Sequence, residues 1–275
     1  MMSSRPGSST LSNGVTIPRI GLGVFRMAPG AETRRSVAAA LELGYRHVDT
    51  ATLYRNEADV GAAVAGSGLP RGSVFVTTKL WNQDQGCDAA LRACERSRRA
   101  LGLDVIDLYL LHWPVPGLRL ESWRALEALY ERGEVRAIGV SNFMVHHLEE
   151  LISRARVAPM VNQIEVHPFL QHRETRAWCA AHGVVVEAYS PLAKAEVLGH
   201  ESVVRIARAS GVTPAQLLLA WGLQKDLVVL PKSVDPERQA ENLAAAAVRL
   251  SPQAMSELDA LEQGLATGWD PRSAP

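Results

Sequence analysis

Cysteine is scarce in this chain. The three present, Cys87, Cys94 and Cys179, cannot pair completely and show no Cys-x-x-Cys spacing. Cys87 and Cys94 lie seven apart in a helical pattern with no histidines in step, so a structural role and a reducing compartment are expected. Net charge is also missing: 29 basic residues balance 29 acidic ones. No bulk field therefore recruits nucleic acid or an anionic membrane, and any anion site must be local. No apolar run approaches the roughly 20 residues of a membrane span, and residues 1–9 lack the apolar core of a signal peptide. The expectation is a cytoplasmic protein with a disordered head over 1–9. No Pro/Gly/Ser-rich linker divides the 275 residues, so 1–275 is read as one domain.

What is present is a rhythm. After a hairpin over Thr10 to Pro18, turning at Asn13-Gly14, short apolar strands alternate with amphipathic helices. The strands fall at 20–23, 45–49, 74–79, 106–111, 137–140, 160–165, 184–188 and 228–230. Continuous apolar strands joined by helical crossovers indicate a parallel sheet, and eight such units predict an α/β fold of the (β/α)₈ TIM-barrel type. The hairpin would plug the barrel's bottom.

Polar groups recur where each strand exits toward its helix: Asp49, Lys79, His112, Ser141-Asn142, Gln163, Tyr189 and Lys232. Barrel enzymes keep their chemistry at that end. Singly, each residue has a bland reading as a cap, a turn former or packing. Together, Asp49, Tyr54, Lys79 and His112 suit carbonyl reduction. A carbonyl accepting hydride gains negative charge on oxygen and needs a proton. Tyr54 can donate it, and a nearby ammonium such as Lys79 would lower its pKa of about 10. Asp49 would hold Lys79, and His112 would hydrogen-bond the reacting oxygen.

These residues sit in longer motifs. They are Gly44-Tyr-Arg-His-Val-Asp49-Thr-Ala with Tyr54 and Asn56-Glu57, then Thr77-Thr-Lys79-Leu-Trp81-Asn, Leu110-Leu-His112-Trp-Pro and Ile138-Gly-Val-Ser141-Asn-Phe143. Asn162-Gln163-Ile-Glu-Val-His-Pro168, Ala188-Tyr189-Ser-Pro-Leu192 and Leu230-Pro-Lys232-Ser-Val with Arg238 and Glu241-Asn242 complete the set. In these motifs the chain resembles the aldo-keto reductases, especially the small prokaryotic, diketogluconate reductase-like members. The resemblance runs from about Leu11 to the final helix. It implies a barrel with short C-terminal loops that binds NADPH without a Rossmann domain, and a catalytic tetrad of Asp49, Tyr54, Lys79 and His112 with Tyr54 as the acid. The residues independently exclude a Rossmann site, because Gly21-Leu-Gly23 is followed by Val-Phe-Arg26 and the third glycine is absent.

The resemblance further implies a cofactor track. Gly23 would contribute to it, Ser141, Asn142 and Gln163 would hold the carboxamide, and Tyr189 would stack on the nicotinamide. Ser190 to Leu192 would follow the pyrophosphate. On residue type alone, Lys232, Ser233 and Arg238 are either a local anion site or a solvated basic helix start. The resemblance makes them the clamp on the 2′-phosphate, with Val234 also at the cofactor and Glu241 and Asn242 flanking the adenine. Phe25, Trp81, Trp113 and Phe143 would wall the substrate pocket, and the tail with Trp269 would close one side.

Asn162, Glu165 and His167 do not form a fixed ligand set, because Asn162 and Gln163 face opposite ways along a strand; no metal is expected. His146-His147 is placed on a helix surface. Two departures stand out: Ala193-Lys194 replaces a position where the family often has glycine, and the segment to Ser202 is short. The expectation is an incomplete cofactor cover and ready release of NADP⁺. The overall reading is a monomeric NADPH-dependent reductase of small aldehydes and ketones. Its rivals are a non-catalytic NADPH-binding regulatory subunit of a membrane protein and a metal-dependent hydrolase on the same barrel.

Overall fold

The computed structural model describes residues 7–275. Strands β1 (Ser8–Thr10) and β2 (Thr16–Pro18) pair antiparallel, with Ser8 opposite Pro18. Gly14 takes the positive φ (85°) that the turn requires. Ser8 and Ser9 are thus paired rather than part of a disordered head. Residues 1–6 of that expected head lie outside the described residues.

Eight parallel strands follow: β3 (Leu22–Gly23), β4 (His47–Asp49), β5 (Phe75–Leu80), β6 (Leu108–Leu111), β7 (Ile138–Ser141), β8 (Val161–Glu165), β9 (Val185–Tyr189) and β10 (Val228–Leu230). Each pairs with its sequence neighbour. The ring closes where Ile20 bridges Val229 and the Gly21 N–H donates to the Val229 carbonyl at 3.0 Å. A Cβ on Gly21 would meet His47 Nδ1 and Leu230 Cδ2 at 2.7 Å, so the seam needs glycine there. The fold is the expected (β/α)₈ barrel. β6 starts two residues later than read, because the Asp107 carboxylate accepts from the Val76 N–H at 2.9 Å and from the Arg71 and Arg136 guanidinium groups.

The helices α1 (Ala31–Leu43), α2 (Glu57–Gly66), α3 (Cys87–Leu101), α4 (Arg119–Glu131), α5 (Val145–Ile152), α6 (Arg173–Ala181), α7 (Glu201–Ala209), α8 (Pro214–Gln224), α9 (Pro236–Ala244) and α10 (Pro252–Asp259) supply the crossovers and the outer layer. Their apolar faces cover the strands. The barrel interior is different: His47, Asp49, Thr77, Lys79, Gln163 and Glu187 are all buried. Polar groups sealed from water must satisfy one another, and their pairings set the site.

Candidate active site

Asp49 ends β4, Lys79 lies near the end of the adjacent β5, and His112 follows β6. Their strands are hydrogen-bonded neighbours, so the three converge. Lys79 Nζ donates to Asp49 Oδ1 at 2.7 Å, to Oδ2 at 2.8 Å and to the Thr50 carbonyl at 2.8 Å. Burial alone would depress the Lys79 pKa, but the Asp49 carboxylate and Tyr54 outweigh it, and the net direction is upward.

Tyr54 arrives on a short helical turn, Thr52–Tyr54. Asn56, expected only to open α2, holds that loop: its amide donates to the Val24 carbonyl (3.1 Å) and its oxygen accepts from Thr50 Oγ1 (2.7 Å). Thr52 Oγ1 adds a bond to the Lys79 carbonyl at 3.1 Å. The Tyr54 ring packs 4.9 Å from Phe25 and 5.9 Å from the His112 ring, with Lys79 Nζ 5.1 Å from its centroid. Burial raises the Tyr54 pKa and the Lys79 ammonium pulls it back, with a net direction upward. The expected lowering by Lys79 is therefore present but smaller than desolvation. The hydroxyl stays protonated at neutral pH, as a proton donor must.

His112 is held well below the usual imidazole pKa, first by burial and then by the Lys79 charge, so it is neutral. Its Nδ1 is buried without a partner. Orphaned buried N–H groups are rarer than under-used acceptors, which assigns the hydrogen to Nε2.

Asp49, Tyr54 and His112 line one cleft of about 630 Å³, with Lys79 buried behind Asp49. Gly23, Phe25, Trp81, Trp113, Ser141, Asn142, Gln163, Tyr189, Ser190, Leu192 and Lys232 line it as well. Phe143 does not. It is fully buried, its ring 5.7 Å from that of His147. The preceding Asn142 adopts a left-handed φ of 64° that turns the chain inward, so Phe143 is core and not pocket wall. His147 is likewise buried, because its Nδ1 accepts from the Met144 N–H at 3.0 Å to cap α5.

Ser141, Asn142 and Gln163 are brought together, already bonded to the protein. Ser141 Oγ donates to the Gln163 carbonyl at 2.8 Å, Asn142 Nδ2 to the His112 carbonyl at 3.0 Å, and the Tyr189 hydroxyl to Asn142 Oδ1 at 2.8 Å. Gln163 Nε2 donates to Asp49 Oδ2 at 2.8 Å and to Glu187 Oε2 at 2.9 Å. At the far end, Ser233, Val234, Arg238, Glu241 and Asn242 lie beyond the cleft lining, at the start of α9 and along it. Asp235 caps α9, accepting from the Glu237 N–H at 2.8 Å. An anion there would meet side chains rather than free helix N–H groups.

The departure at 193–195 has a backbone reason. Ala193, Lys194 and Ala195 have φ of 46°, 51° and 70°, the left-handed region that glycine enters freely. The Lys194 ammonium donates to the Thr267 carbonyl, linking two flanks of the cleft. Glu165 accepts from the Thr267 N–H at 3.1 Å and pairs with His167 Nε2 at 3.3 Å. Glu165 and His167 thus anchor the tail, while Asn162 points outward to the Phe143 carbonyl at 2.9 Å. Among the described residues there is no cluster of three or more His, Cys, Asp or Glu able to hold a metal. Trp269 sits on Trp113 with centroids 4.4 Å apart.

Sequence reasoning missed Glu187, which is fully buried on β9. Its signal was a carboxylate between apolar neighbours in Val185-Val-Glu187-Ala-Tyr189. Burial, then the Asp49 charge, push its pKa up to about 8. A folded pKa above the unfolded value of about 4.5 gives stability that is full below pH ~4.5 and lost as pH rises through ~8. Glu187→Gln, which does not titrate, is expected to gain stability over the native chain between pH 5 and 8.5 in urea titrations. A pH-independent difference would contradict a neutral buried Glu187.

The model of the aldo/keto reductase family matches residues 19–263. Glyoxal reductase of Bacillus subtilis is 45% identical over 271 residues, covering 98% of each chain. The 9,11-endoperoxide prostaglandin H2 reductase of Trypanosoma cruzi is 46% identical, covering 95% of this chain and 94% of its own. The crystal structure of Gox0644 in its apo form superposes with a TM-score of 0.93 at 43% identity, covering 98% of this chain and 99% of that one. A mutant of Gox0644 in complex with NADPH gives 0.92 at 43% identity and the same coverage. With the family model spanning nearly the whole barrel, this chain belongs to the aldo/keto reductase family.

Proposed function

We propose that this chain is an NADPH-dependent reductase of small aldehydes and ketones, with Tyr54 as the general acid. The observation that carries it is the Tyr54 ring in the cleft between the buried Lys79–Asp49 pair and the neutral His112. The glyoxal reductase and the NADPH-bound Gox0644 mutant support both the substrate class and the cofactor. The residues fit the dinucleotide. Gln163 leaves its amide oxygen without a protein partner at the cleft wall, and Lys232 stands exposed at the other end. NADPH, when bound, supplies the hydride.

The chain's own residues do the rest. His112 Nε2–H donates to the carbonyl oxygen as charge builds there. The Tyr54 hydroxyl gives its proton to that oxygen, and the Lys79 ammonium stabilises the phenolate left behind. Asp49 keeps Lys79 charged and aimed. Phe25, Trp81 and Trp113 exclude water from the reacting carbon. All four groups come from one chain within one barrel domain, so a monomer suffices for the chemistry, and no helix of the described residues is long and apolar enough to cross a membrane. A cytoplasmic setting fits free thiols and a dinucleotide substrate.

The test is loss of absorbance at 340 nm with glyoxal, methylglyoxal and larger keto sugars. Turnover strongest with the small dicarbonyls is expected; no turnover on any carbonyl would overturn the reading. Arg238, exposed on α9, is the proposed contact to the 2′-phosphate. Arg238→Ala is expected to raise the KM for NADPH about tenfold, the size of one lost charge-assisted bond, while leaving that for NADH unchanged. An equal rise for both cofactors would remove Arg238 from the phosphate.

A further inference from the structure

We propose that Glu187 is a positioning residue that fixes the Gln163 amide so that its oxygen faces the cofactor carboxamide; this rests on the NADPH reading above. Gln163 has two amide hydrogens, and both are taken by carboxyl oxygens, Asp49 Oδ2 at 2.8 Å and Glu187 Oε2 at 2.9 Å. A flipped amide would set its oxygen against the Asp49 carboxylate, so only one orientation is stable. That orientation leaves Oε1 free at the cleft as an acceptor for a carboxamide N–H. Asp49 alone would engage one hydrogen and allow the amide to swing.

The surroundings of Glu187 explain why it serves as a neutral acceptor. His47 Nδ1 lies 3.4 Å from the Pro18 carbonyl, which only accepts, so Nδ1 carries the hydrogen and Nε2 a lone pair. Thr77 Oγ1 donates to Nε2 at 3.1 Å. Glu187 Oε1 has no hydrogen-bond partner and stands 3.7 Å from the same Nε2. The one lone pair of Nε2 is already taken by Thr77, so Oε1 receives no donor; an oxygen buried without one favours the uncharged carboxyl, with Oε2 left to accept from Gln163. Burial lowers the His47 pKa to about 4, which keeps the proton on the carboxyl. The charged groups facing the pair are Asp49, across the Gln163 amide, Lys79 beyond it, and Asp107 on the His47 side. A neutral Glu187 does not compete with Asp49 for the ammonium.

The test measures binding rather than turnover. Kd values for NADP⁺ and for its 3-acetylpyridine analogue, which has a methyl ketone in place of the carboxamide, are obtained from quenching of tryptophan fluorescence. The analogue cannot donate an N–H to Gln163. The native chain is expected to prefer NADP⁺ about tenfold, near the worth of one buried hydrogen bond. Glu187→Gln retains a carbonyl acceptor and is expected to keep that preference. Glu187→Met removes the acceptor, and Glu187→Asp withdraws it by one methylene while staying polar, so that one variant folds if the other does not. Both are expected to cut the preference to about threefold or less. An undiminished preference in Glu187→Met or Glu187→Asp, or an equal loss in Glu187→Gln, overturns the role of Glu187. Failure of the native chain to bind NADP⁺ at all overturns the cofactor reading itself.

Discussion

Tyr54→Phe is expected to lower kcat by roughly a thousandfold, within the range that a positioned general acid contributes, with NADPH affinity within about twofold of native. The substitution deletes one oxygen and keeps the ring contacts to Phe25 and His112. Only the proton is removed. His112 cannot replace it: its ring is held neutral well below the usual imidazole pKa, and its Nε2–H is a hydrogen-bond donor of very low acidity. Water cannot replace it efficiently either, because Trp81 and Trp113 border the same cleft. Steady-state kinetics with methylglyoxal beside a fluorescence titration with NADPH separate the two effects. Turnover within tenfold of native would move the acid elsewhere.

Lys79→Met is expected to damage stability and turnover together. Lys79 is sealed from solvent and holds both oxygens of Asp49. Removing the ammonium leaves a buried carboxylate supported only by the Gln163 amide and nearby dipoles. Breaking a buried pair from one side costs about 3–5 kcal/mol, or a Tm drop on the order of 10 °C in a domain of this size. Turnover should fall at least hundredfold, because the phenolate formed at Tyr54 loses its counter-charge. The double variant Lys79→Met/Asp49→Leu removes the orphaned charge and is expected to recover most of the stability and none of the activity. Recovery of activity in the double variant would contradict the role of Lys79; an unchanged Tm in the single variant would contradict the buried ion pair.

Much of this was legible in the chain itself. Eight strands read with ends displaced by at most two residues, because runs of Val, Ile and Leu mark a strand buried on both faces even where single polar residues such as Gln163 and Glu187 interrupt them. The Asp49, Tyr54, Lys79 and His112 set read as a unit because polar groups at strand exits have few other uses inside a barrel. What did not read were features decided by side-chain direction. Phe143 stands among strand-exit aromatics, yet the left-handed Asn142 turns it into the core. His147 follows an exposed His146, yet capping α5 buries it. Tyr54 was expected to be made more acidic by Lys79, whereas the depth of its burial outweighs the charge. Glu187 was hidden within an apolar strand, since alternation alone does not say that its inward neighbours are His47 and Gln163. The left-handed run Ala193-Lys194-Ala195 shows why glycine would suit that loop. Its lysine instead makes a link to Thr267 that no local pattern predicts.

The most direct measurement follows the hydride itself. A limiting amount of NADPH deuterated at both C4 positions is mixed with the native chain and methylglyoxal, and the alcohol product is analysed by mass spectrometry. One deuterium on the carbinol carbon of every product molecule is the expected result, with Tyr54→Phe giving the same label at a rate about a thousandfold lower. Product without deuterium, or labelled product formed at the native rate by Tyr54→Phe, would contradict proton donation by Tyr54 coupled to hydride transfer in this cleft.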